Sequence, residues 1–219
     1  MFLNKVANFY SLIIHKGLDL LFPRYCFGCQ QEGVALCAKC LAKLPRSLES
    51  GENKIFSVFN YDSPIVKKLI WSLKYKHNKD IARIVAPVLN ETLWEELADK
   101  LIISNQETKI FLLPAPLSRA RYRSRGYNQA EELVKEMIKL NPENFAPLAN
   151  LIIKIKDTPS QVSLKNKQQR LNNLKGAFQI NETKLQELKQ SYHLSETIII
   201  IVDDVSTTGA TIDEIRKVL

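Results

Sequence analysis

The chain has 219 residues, 45% of them hydrophobic and 25% charged, and it carries a formal net charge of +8. This length allows one α/β domain with a small appendage, and the apolar content excludes wholesale disorder. The positive charge indicates an anionic partner without separating a nucleotide, a nucleic acid and a membrane surface. No apolar run reaches the roughly 18 residues of a membrane span, and the first 21 residues lack a signal-peptide core. We therefore expect a cytoplasmic protein without stable membrane insertion.

The N-terminal segment predicts a short amphipathic helix that ends before Pro23. Its apolar residues recur at helical spacing: Leu3, Val6, Phe9, Tyr10, Ile13 and Ile14. Docking on the main domain is favoured over membrane contact, because Lys5 and Lys16 are the only basic residues in this stretch.

The four cysteines form two Cys-x-x-Cys pairs separated by seven residues. Their thiolates would reach one tetrahedral Zn²⁺ ion, and the ligands are Cys26, Cys29, Cys37 and Cys40. The short spacer predicts a compact knuckle with Gly28 and Gly33 at tight turns. Such zinc would be structural, because four sulfur ligands leave no open position for catalysis. Two disulfides or a redox-active pair are the alternatives.

A polar linker follows the cysteines and divides the chain into two parts. We expect an N-terminal helix and zinc module over residues 1–50 and the main domain over residues 51–219. The main domain begins with an alternating segment, Ile55 to Tyr61, that suggests an edge strand.

A helix is predicted to start at Ser63 and Pro64, and a second helical stretch, Ile81 to Leu101, to be interrupted or restarted at Pro87. A basic cluster surrounds the first of these helices: Lys67, Lys68, Lys74, Lys76, His77 and Lys79. Such a cluster is usually a solvated face, and contact with a polyanion is the alternative.

The apolar run Ile110 to Leu113 precedes a segment rich in arginine. Arg119, Arg121, Arg123 and Arg125 occupy every second position, so an extended loop would point all four side chains the same way. Arginine is the side chain best shaped to bind phosphate with paired N–H groups. Tyr122 and Tyr127 are candidates for base stacking and are equally plausible as core residues.

The second half of the chain continues with an amphipathic helix from about Gln129 to Leu140, which Asn128 would cap. Leu151 to Ile155 predicts a third core strand. The polar stretch that follows it, Lys156 to Lys175, is unusual in a compact domain unless it is a lid or is disordered. A surface helix is expected within residues 181–195.

The C-terminal region carries the most informative motif. An unbroken run of β-branched residues, Ile198 to Val202, predicts a strand buried on both faces, and Asp203 and Asp204 follow directly. A turn of small residues then leads into a helix, and its N–H groups and hydroxyls favour a phosphate. The two acids do not bind phosphate and would hold hydroxyls or a metal ion. The implied ligand carries a phosphate and a diol; a buried strand with an acidic loop is the alternative.

This motif resembles the signature of type I phosphoribosyltransferases, and no Walker-type P-loop occurs. The resemblance implies an α/β fold with a parallel sheet flanked by helices. It further implies that Asp203 and Asp204 hold the ribose 2′- and 3′-hydroxyls of phosphoribosyl pyrophosphate (PRPP), with Mg²⁺ bound alongside. The 5′-phosphate would lie on the turn, which comprises Ser206, Thr207, Thr208, Gly209, Ala210 and Thr211.

Further motifs resemble the ComF family, phosphoribosyltransferase-like proteins linked to natural competence and DNA uptake. They are Pro-x-Pro-Leu at 114–117, Arg-Gly-Tyr-Asn-Gln-Ala-Glu at 125–131, Thr-Pro-Ser-Gln at 158–161, Gly-Ala-Phe at 176–178 and the cysteine knuckle. The resemblance implies a pyrophosphate loop and basic patch made of Pro116, Leu117, Ser118, Arg119, Arg121, Arg123 and Arg125. It also implies a lid that contains Thr158, Ser160, Gln161 and Arg170.

Two observations qualify this resemblance. Family members normally continue beyond the last helix into another strand, whereas this sequence stops at Leu219, so we expect the main domain to lack its last strand. The three glycines after Gly51, which are Gly126, Gly176 and Gly209, each lie in one of the motifs and predict special backbone geometry there.

Three functions are compatible with these features. The first is a PRPP-binding ComF protein that supports the uptake or handling of single-stranded DNA, together with other competence proteins. The second is an active phosphoribosyltransferase that transfers ribose 5-phosphate to a nitrogenous acceptor. No catalytic base is identifiable, although departure of pyrophosphate assisted by Mg²⁺ does not require one. The third is a nucleic-acid adaptor with a vestigial ribose site.

Overall fold

The computed structural model describes residues 23–47, 55–103, 108–158, 173–192 and 197–219. Three predictions lie outside these residues: the N-terminal helix, the domain boundary between residues 50 and 51, and the lid residues Ser160, Gln161 and Arg170.

The described part of the chain is an α/β structure with short strands and longer helices. In chain order its elements are α1 (Ala38–Ala42), α2 (Pro64–Tyr75), α3 (Asp80–Ile103), β1 (Lys109–Pro114), α4 (Arg119–Arg125), α5 (Gln129–Leu140), β2 (Phe145–Pro147), β3 (Ile152–Lys154), β4 (Phe178–Ile180), α6 (Glu182–Ser191), β5 (Thr197–Val202) and α7 (Ala210–Arg216).

The centre is a three-stranded parallel sheet with the strand order β2-β1-β5. Alternate residues of β1 point to opposite faces, so Ile110 and Leu112 join one apolar cluster while Phe111 and Leu113 join another. The first cluster also contains residues of α2, α3 and α5, and the second contains residues of α6 and α7. Helices therefore cover both faces of the sheet, as predicted for the fold class.

The cysteine-rich segment shares the first of these clusters. Cys26, Leu36 and Leu44 are buried in it together with Leu69 and Leu73 of α2. The segment is held locally by an antiparallel bridge between Tyr25 and Glu32.

Leu151 to Ile155 does not form the predicted third strand of the main sheet. Its central residues form β3, which pairs antiparallel with β4 in a separate two-stranded sheet. The place beside β1 is taken by β2, where Phe145 pairs with Ile110. A strand of three residues with a single buried side chain is too short to show a period in the sequence.

Three further predictions differ from the structure. Strand β5 is only half-buried over most of its length, because among the described strands it pairs with β1 alone. The segment 55–61 is not a strand, and Phe59 forms an isolated antiparallel bridge with Arg46. Helix α3 runs through Pro87 without a break. Both Pro87 and Arg83 are exposed, so water can satisfy the carbonyl group that lacks its helical partner.

Several helix boundaries confirm the sequence predictions. Helix α2 begins at Pro64 after Ser63. The side chain of Asn128 accepts a hydrogen bond from the Ala130 N–H at 3.0 Å and caps α5. Helix α6 lies within the predicted range.

Candidate functional site

Two predicted site segments leave the sheet at the same edge. Strands β1 and β5 are parallel, and their last residues, Pro114 and Val202, are paired. The Ala115 N–H then donates to the Val202 carbonyl oxygen at 2.8 Å. The loop that leads to the arginines and the acidic strand end therefore lie side by side. In an open parallel sheet this crevice at the carboxyl ends of the strands is where ligands bind.

The arginine-rich segment is a helix, which corrects the extended loop predicted from its alternating pattern. Ser118 is buried and its hydroxyl accepts from the Arg121 N–H, which starts α4. Gly126 ends α4 in the left-handed conformation, with φ of 74°. On a helix, residues four apart share a face, so the arginines form two pairs that point in different directions.

One arginine pair faces a large cavity beside the strand ends. Arg121 and Arg125 line this cavity of about 940 Å³, whereas Arg119 and Arg123 are exposed and do not. Other lining residues come from the loop after β1, from β3, from the acidic strand end and the turn after it, and from α2. They include Pro116, Leu117, Lys67, Lys68, Trp71, Lys74, Tyr75, Lys154, Asp203, Asp204, Thr207 and Thr211.

The two acids lie at the cavity wall, and one of them is paired with a lysine. Lys74 Nζ is 3.0 Å from Asp204 Oδ1, and both side chains are mostly buried. The Asp204 N–H donates to Asp203 Oδ1 at 2.8 Å. Burial, followed by repulsion from the Asp204 carboxylate, raises the pKa of Asp203 to about 7. This carboxyl group is therefore poised to change its protonation state near neutral pH.

Cationic side chains line the same cavity. Arg121 Nη2 donates to the Thr158 carbonyl oxygen at 2.7 Å, and burial, followed by repulsion from Arg125, lowers the pKa of Arg121. Arg125 Nη1 donates to Gln129 Oε1 at 2.8 Å. Buried Lys154 adds a third positive group, with its pKa lowered to about 8 by burial and then by Arg121. Cations that repel one another favour an anion among them.

The predicted phosphate turn is divided between different environments. Thr207 and Thr211 line the large cavity, while Ser206 lines a smaller apolar cavity next to it. Gly209 is the N-cap of α7, and Ala210 is buried with its N–H directed at Thr208 Oγ1, 3.4 Å away. The structure thus places two residues of the turn in the same cavity as the acids and arginines.

Of the predicted lid, Thr158 is described. Its carbonyl oxygen is bound by Arg121, and its buried hydroxyl has no hydrogen-bond partner among the residues that the structure describes.

The cavity residues that were not predicted as site residues include Lys154, Trp71 and Tyr75. A charged residue within the apolar run Ile152 to Ile155 is a signal that would have found Lys154. Two aromatic residues four apart on a lysine-rich helix are a comparable signal for Trp71 and Tyr75.

The four cysteines converge on one point, as predicted for a metal site. Their sulfur atoms all lie within 4.8 Å of one another, and none of the four is in a disulfide. Cys29 Sγ and Cys37 Sγ are 3.7 Å apart. Four sulfurs around a tetrahedral Zn²⁺ at about 2.3 Å would be about 3.8 Å from one another. The cluster is therefore arranged to hold a metal ion and fits zinc.

The thiols of this cluster do not ionise alike. Burial opposes ionisation of Cys26, yet backbone hydrogen bonds from Cys29, Cys37 and Gly28 outweigh it and lower the pKa of the Cys26 thiol to about 6. A hydrogen bond with Cys37, followed by burial and the other sulfurs, raises the pKa of Cys40 to about 12. A bound cation would remove this conflict, because it stabilises all four thiolates.

Residue 28 must be a glycine because its backbone lies very close to the side chain of Cys40. A side-chain carbon at residue 28 would lie 2.6 Å from Cys40 Sγ, which is closer than atoms can pack. This approach accounts for a glycine inside the first cysteine pair.

No helix in the described ranges combines the length and the apolar character that crossing a bilayer requires.

Comparison with known proteins identifies relatives over most of the chain. Competence protein F of Haemophilus influenzae is 30% identical, covering 97% of this chain and 91% of its own length. DNA utilization protein YhgH is 29% identical in Salmonella typhimurium and 27% identical in Escherichia coli K12, in each case over 84% of this chain and 70% of the relative. No protein-family model matches the sequence. Given the extent and identity of the Haemophilus match, the chain belongs to the family of competence protein F, the ComF family that its motifs resemble.

Proposed function

We propose that this protein binds PRPP and supports the uptake or handling of single-stranded DNA in the cytoplasm. The observation that carries the proposal is a single cavity lined by both acidic and cationic side chains. Asp203 and Asp204 line it together with Arg121, Arg125 and Lys154. A ligand that satisfies both kinds of group presents hydroxyl donors to the acids and phosphate oxygens to the cations.

PRPP has this distribution of groups. Its ribose hydroxyls would donate to Asp203 and Asp204, and its pyrophosphate would accept hydrogen bonds from Arg121 and Arg125. The hydroxyls of Thr207 and Thr211 would contact the 5′-phosphate. Mg²⁺ would enter with the pyrophosphate and neutralise part of its charge. The proposed zinc at the cysteines has a structural role.

The DNA role is supported by the relatives and by the charge of the chain. The matched proteins are named competence protein F and DNA utilization protein. The net charge of +8 favours a polyanion. We extend the competence role of these relatives to this chain on that basis.

An active phosphoribosyltransferase is the second candidate, and one observation favours it. Two aromatic side chains, Trp71 and Tyr75, line the same cavity as the acids and offer flat surfaces on which a nitrogenous ring could stack. Continuous release of pyrophosphate from PRPP on adding a nucleobase would establish transfer. If no nucleobase causes this release, the protein binds PRPP without transferring its ribose 5-phosphate to a base.

The PRPP site is tested by thermal unfolding. We expect PRPP with Mg²⁺, at roughly 100 times its Kd, to raise Tm by about 5 to 10 °C, because a ligand stabilises the folded state that binds it. The double variant Asp203→Asn/Asp204→Asn should lose this rise.

A matched control removes two negative charges outside the cavity, at Glu143→Gln and Glu187→Gln, and should keep the rise. No shift with the unmodified protein would refute PRPP binding.

A further inference from the structure

Helix α2 exposes two large aromatic side chains on the face that turns away from the core. Trp71 and Tyr75 are 51% and 54% exposed, while Leu69 and Leu73 of the same helix are buried. The two residues are one helical turn apart, with ring centroids separated by 6.1 Å and planes tilted by 48°. Core packing does not require aromatic residues at these positions, because the helix buries its other side.

Each of the two rings has a cation beside it. Lys76 Nζ lies 5.2 Å from the centroid of the Trp71 ring. The guanidinium carbon of Arg125 lies 5.4 Å from the centroid of the Tyr75 ring. Cations placed beside aromatic rings add positive charge next to the surface on which a base could stack.

More positive charge lines the same helix. Lys67 and Lys68 belong to the cavity wall together with both aromatic rings. No ion-pair partner for Lys68 exists among the described residues, and Lys67 is 3.7 Å from the highly exposed Asp62. Exposed ion pairs of this kind are weak, so both lysines are available to phosphates.

We infer that Trp71 and Tyr75 stack the bases of single-stranded DNA, while Lys67, Lys68 and Lys76 contact its phosphates. Alternating aromatic and basic side chains are the means by which proteins bind single strands with little sequence preference. Bases of a duplex already stack on one another and do not offer their faces. A free base, in turn, has no phosphates for the lysines to bind. This assignment rests on the DNA role proposed above and locates it on helix α2.

Fluorescence tests the stacking directly, because the chain has two tryptophans. Trp94 stacks on Phe145 with centroids 5.3 Å apart, so Trp94→Phe keeps an aromatic ring there and leaves Trp71 as the sole indole. In that full-length variant we expect a twelve-residue oligothymidylate to quench the fluorescence of Trp71. An abasic strand with the same number of phosphates should bind more weakly and leave the fluorescence nearly unchanged.

The affinity of ring-removing and ring-keeping variants for oligothymidylate distinguishes base stacking from general apolar contact. Trp71→Leu should weaken oligothymidylate binding about ten-fold or more at fixed salt, whereas Trp71→Phe should keep most of the affinity. Tyr75→Leu should behave like Trp71→Leu. Tyr25→Leu is the matched control, because Tyr25 is 47% exposed and does not line the cavity. Thermal unfolding of each variant confirms that it folds.

The outcomes distinguish this inference from the proposal on which it rests. Equal quenching by the abasic strand, or undiminished affinity of Trp71→Leu, would overturn the stacking site while leaving DNA binding intact. An unmodified protein that binds no strand at low salt would overturn both the site and the DNA role. The Tm shift with PRPP reports on the sugar-phosphate site independently of either result.

Discussion

Asp203 is a carboxyl group whose charge the fold destabilises. Its pKa is raised from 3.8 to about 7 by burial and by Asp204, so the folded protein holds this proton more tightly than the unfolded chain does. A raised carboxyl pKa lowers stability as pH rises from about 4 to about 7. Ligand binding has the opposite dependence, because the charged carboxylate is the better acceptor for ribose hydroxyls.

Replacement of this single residue should therefore separate stability from function. We expect Asp203→Asn to raise Tm by roughly 3 to 10 °C at pH 8.5 and by much less at pH 5, because asparagine has no charge to desolvate. PRPP affinity of the unmodified protein should increase as pH rises through 7. Unfolding curves and calorimetric titrations across this pH range measure both effects. If Asp203→Asn raised Tm equally at both pH values, the ionised Asp203 carboxylate would not be what destabilises the folded protein.

Single residues with strong conformational demands were predictable from the sequence. Gly126, Gly176 and Gly209 all have φ between 62° and 74°, which confirms the special geometry inferred from their place in the motifs. The N-cap role of Asn128 was predictable for a similar reason, since a short polar side chain before an amphipathic run has one favourable use. The aromatic pair on α2 was not predicted, although its spacing of four residues on a lysine-rich helix is visible in the sequence.

At the scale of elements, α4 shows how two sequence signals compete. The arginines alternate as in an extended chain, but Ser118 and Gly126 supply the N-terminal and C-terminal signals of a seven-residue helix. The caps supply hydrogen-bond partners to backbone groups at the two helix ends. The alternation of arginines supplies none, so the caps determined the structure. Long helices with clear amphipathic faces were predicted correctly. The short strands β2 and β4 were not predicted, and β3 was assigned to the main sheet, because the pairing of such short strands depends on partners far along the chain.

Because α4 is a helix and not an extended loop, its four arginines should differ in their effect on PRPP binding. Arg121→Ala and Arg125→Ala should each weaken PRPP binding about ten-fold or more, since each removes a charge-assisted hydrogen bond in the cavity. Arg119→Ala and Arg123→Ala remove the same charge from the exposed face and should change the Kd less than about two-fold. Calorimetric titration of the four variants compares them. Equal losses for all four would indicate a general electrostatic effect without direct contacts.

At the scale of the whole molecule, the cysteine cluster and the cavity are joined by one core. Cys26 and Leu36 pack in the same cluster as Leu69 and Leu73, and α2 presents its other face to the cavity. The convergence of the cysteines followed from their spacing alone. Their packing on α2 was not predictable, because sequence spacing does not show which surface a small module covers.

Metal removal should accordingly affect more than the cysteines. We expect close to one zinc per chain by metal analysis, and chelation should lower Tm by about 10 °C or more, because the bound metal contributes directly to folding. Adding back Zn²⁺ should restore the Tm, and adding Mg²⁺ should not. Purified, folded protein without any metal in the cluster would refute the zinc assignment.

The cavity that contains both the acids and the aromatic pair has a thermodynamic consequence. If PRPP and a DNA strand both enter it, their phosphates come within a Debye length of about 10 Å and repel one another. Binding of one ligand must then weaken binding of the other by the same factor, because the coupling free energy between two sites is reciprocal. The protein would release DNA when PRPP is abundant and retain it when PRPP is scarce. Repeating the Trp71 titration at increasing PRPP concentrations measures this coupling, and an unchanged DNA affinity would show that the two sites are independent.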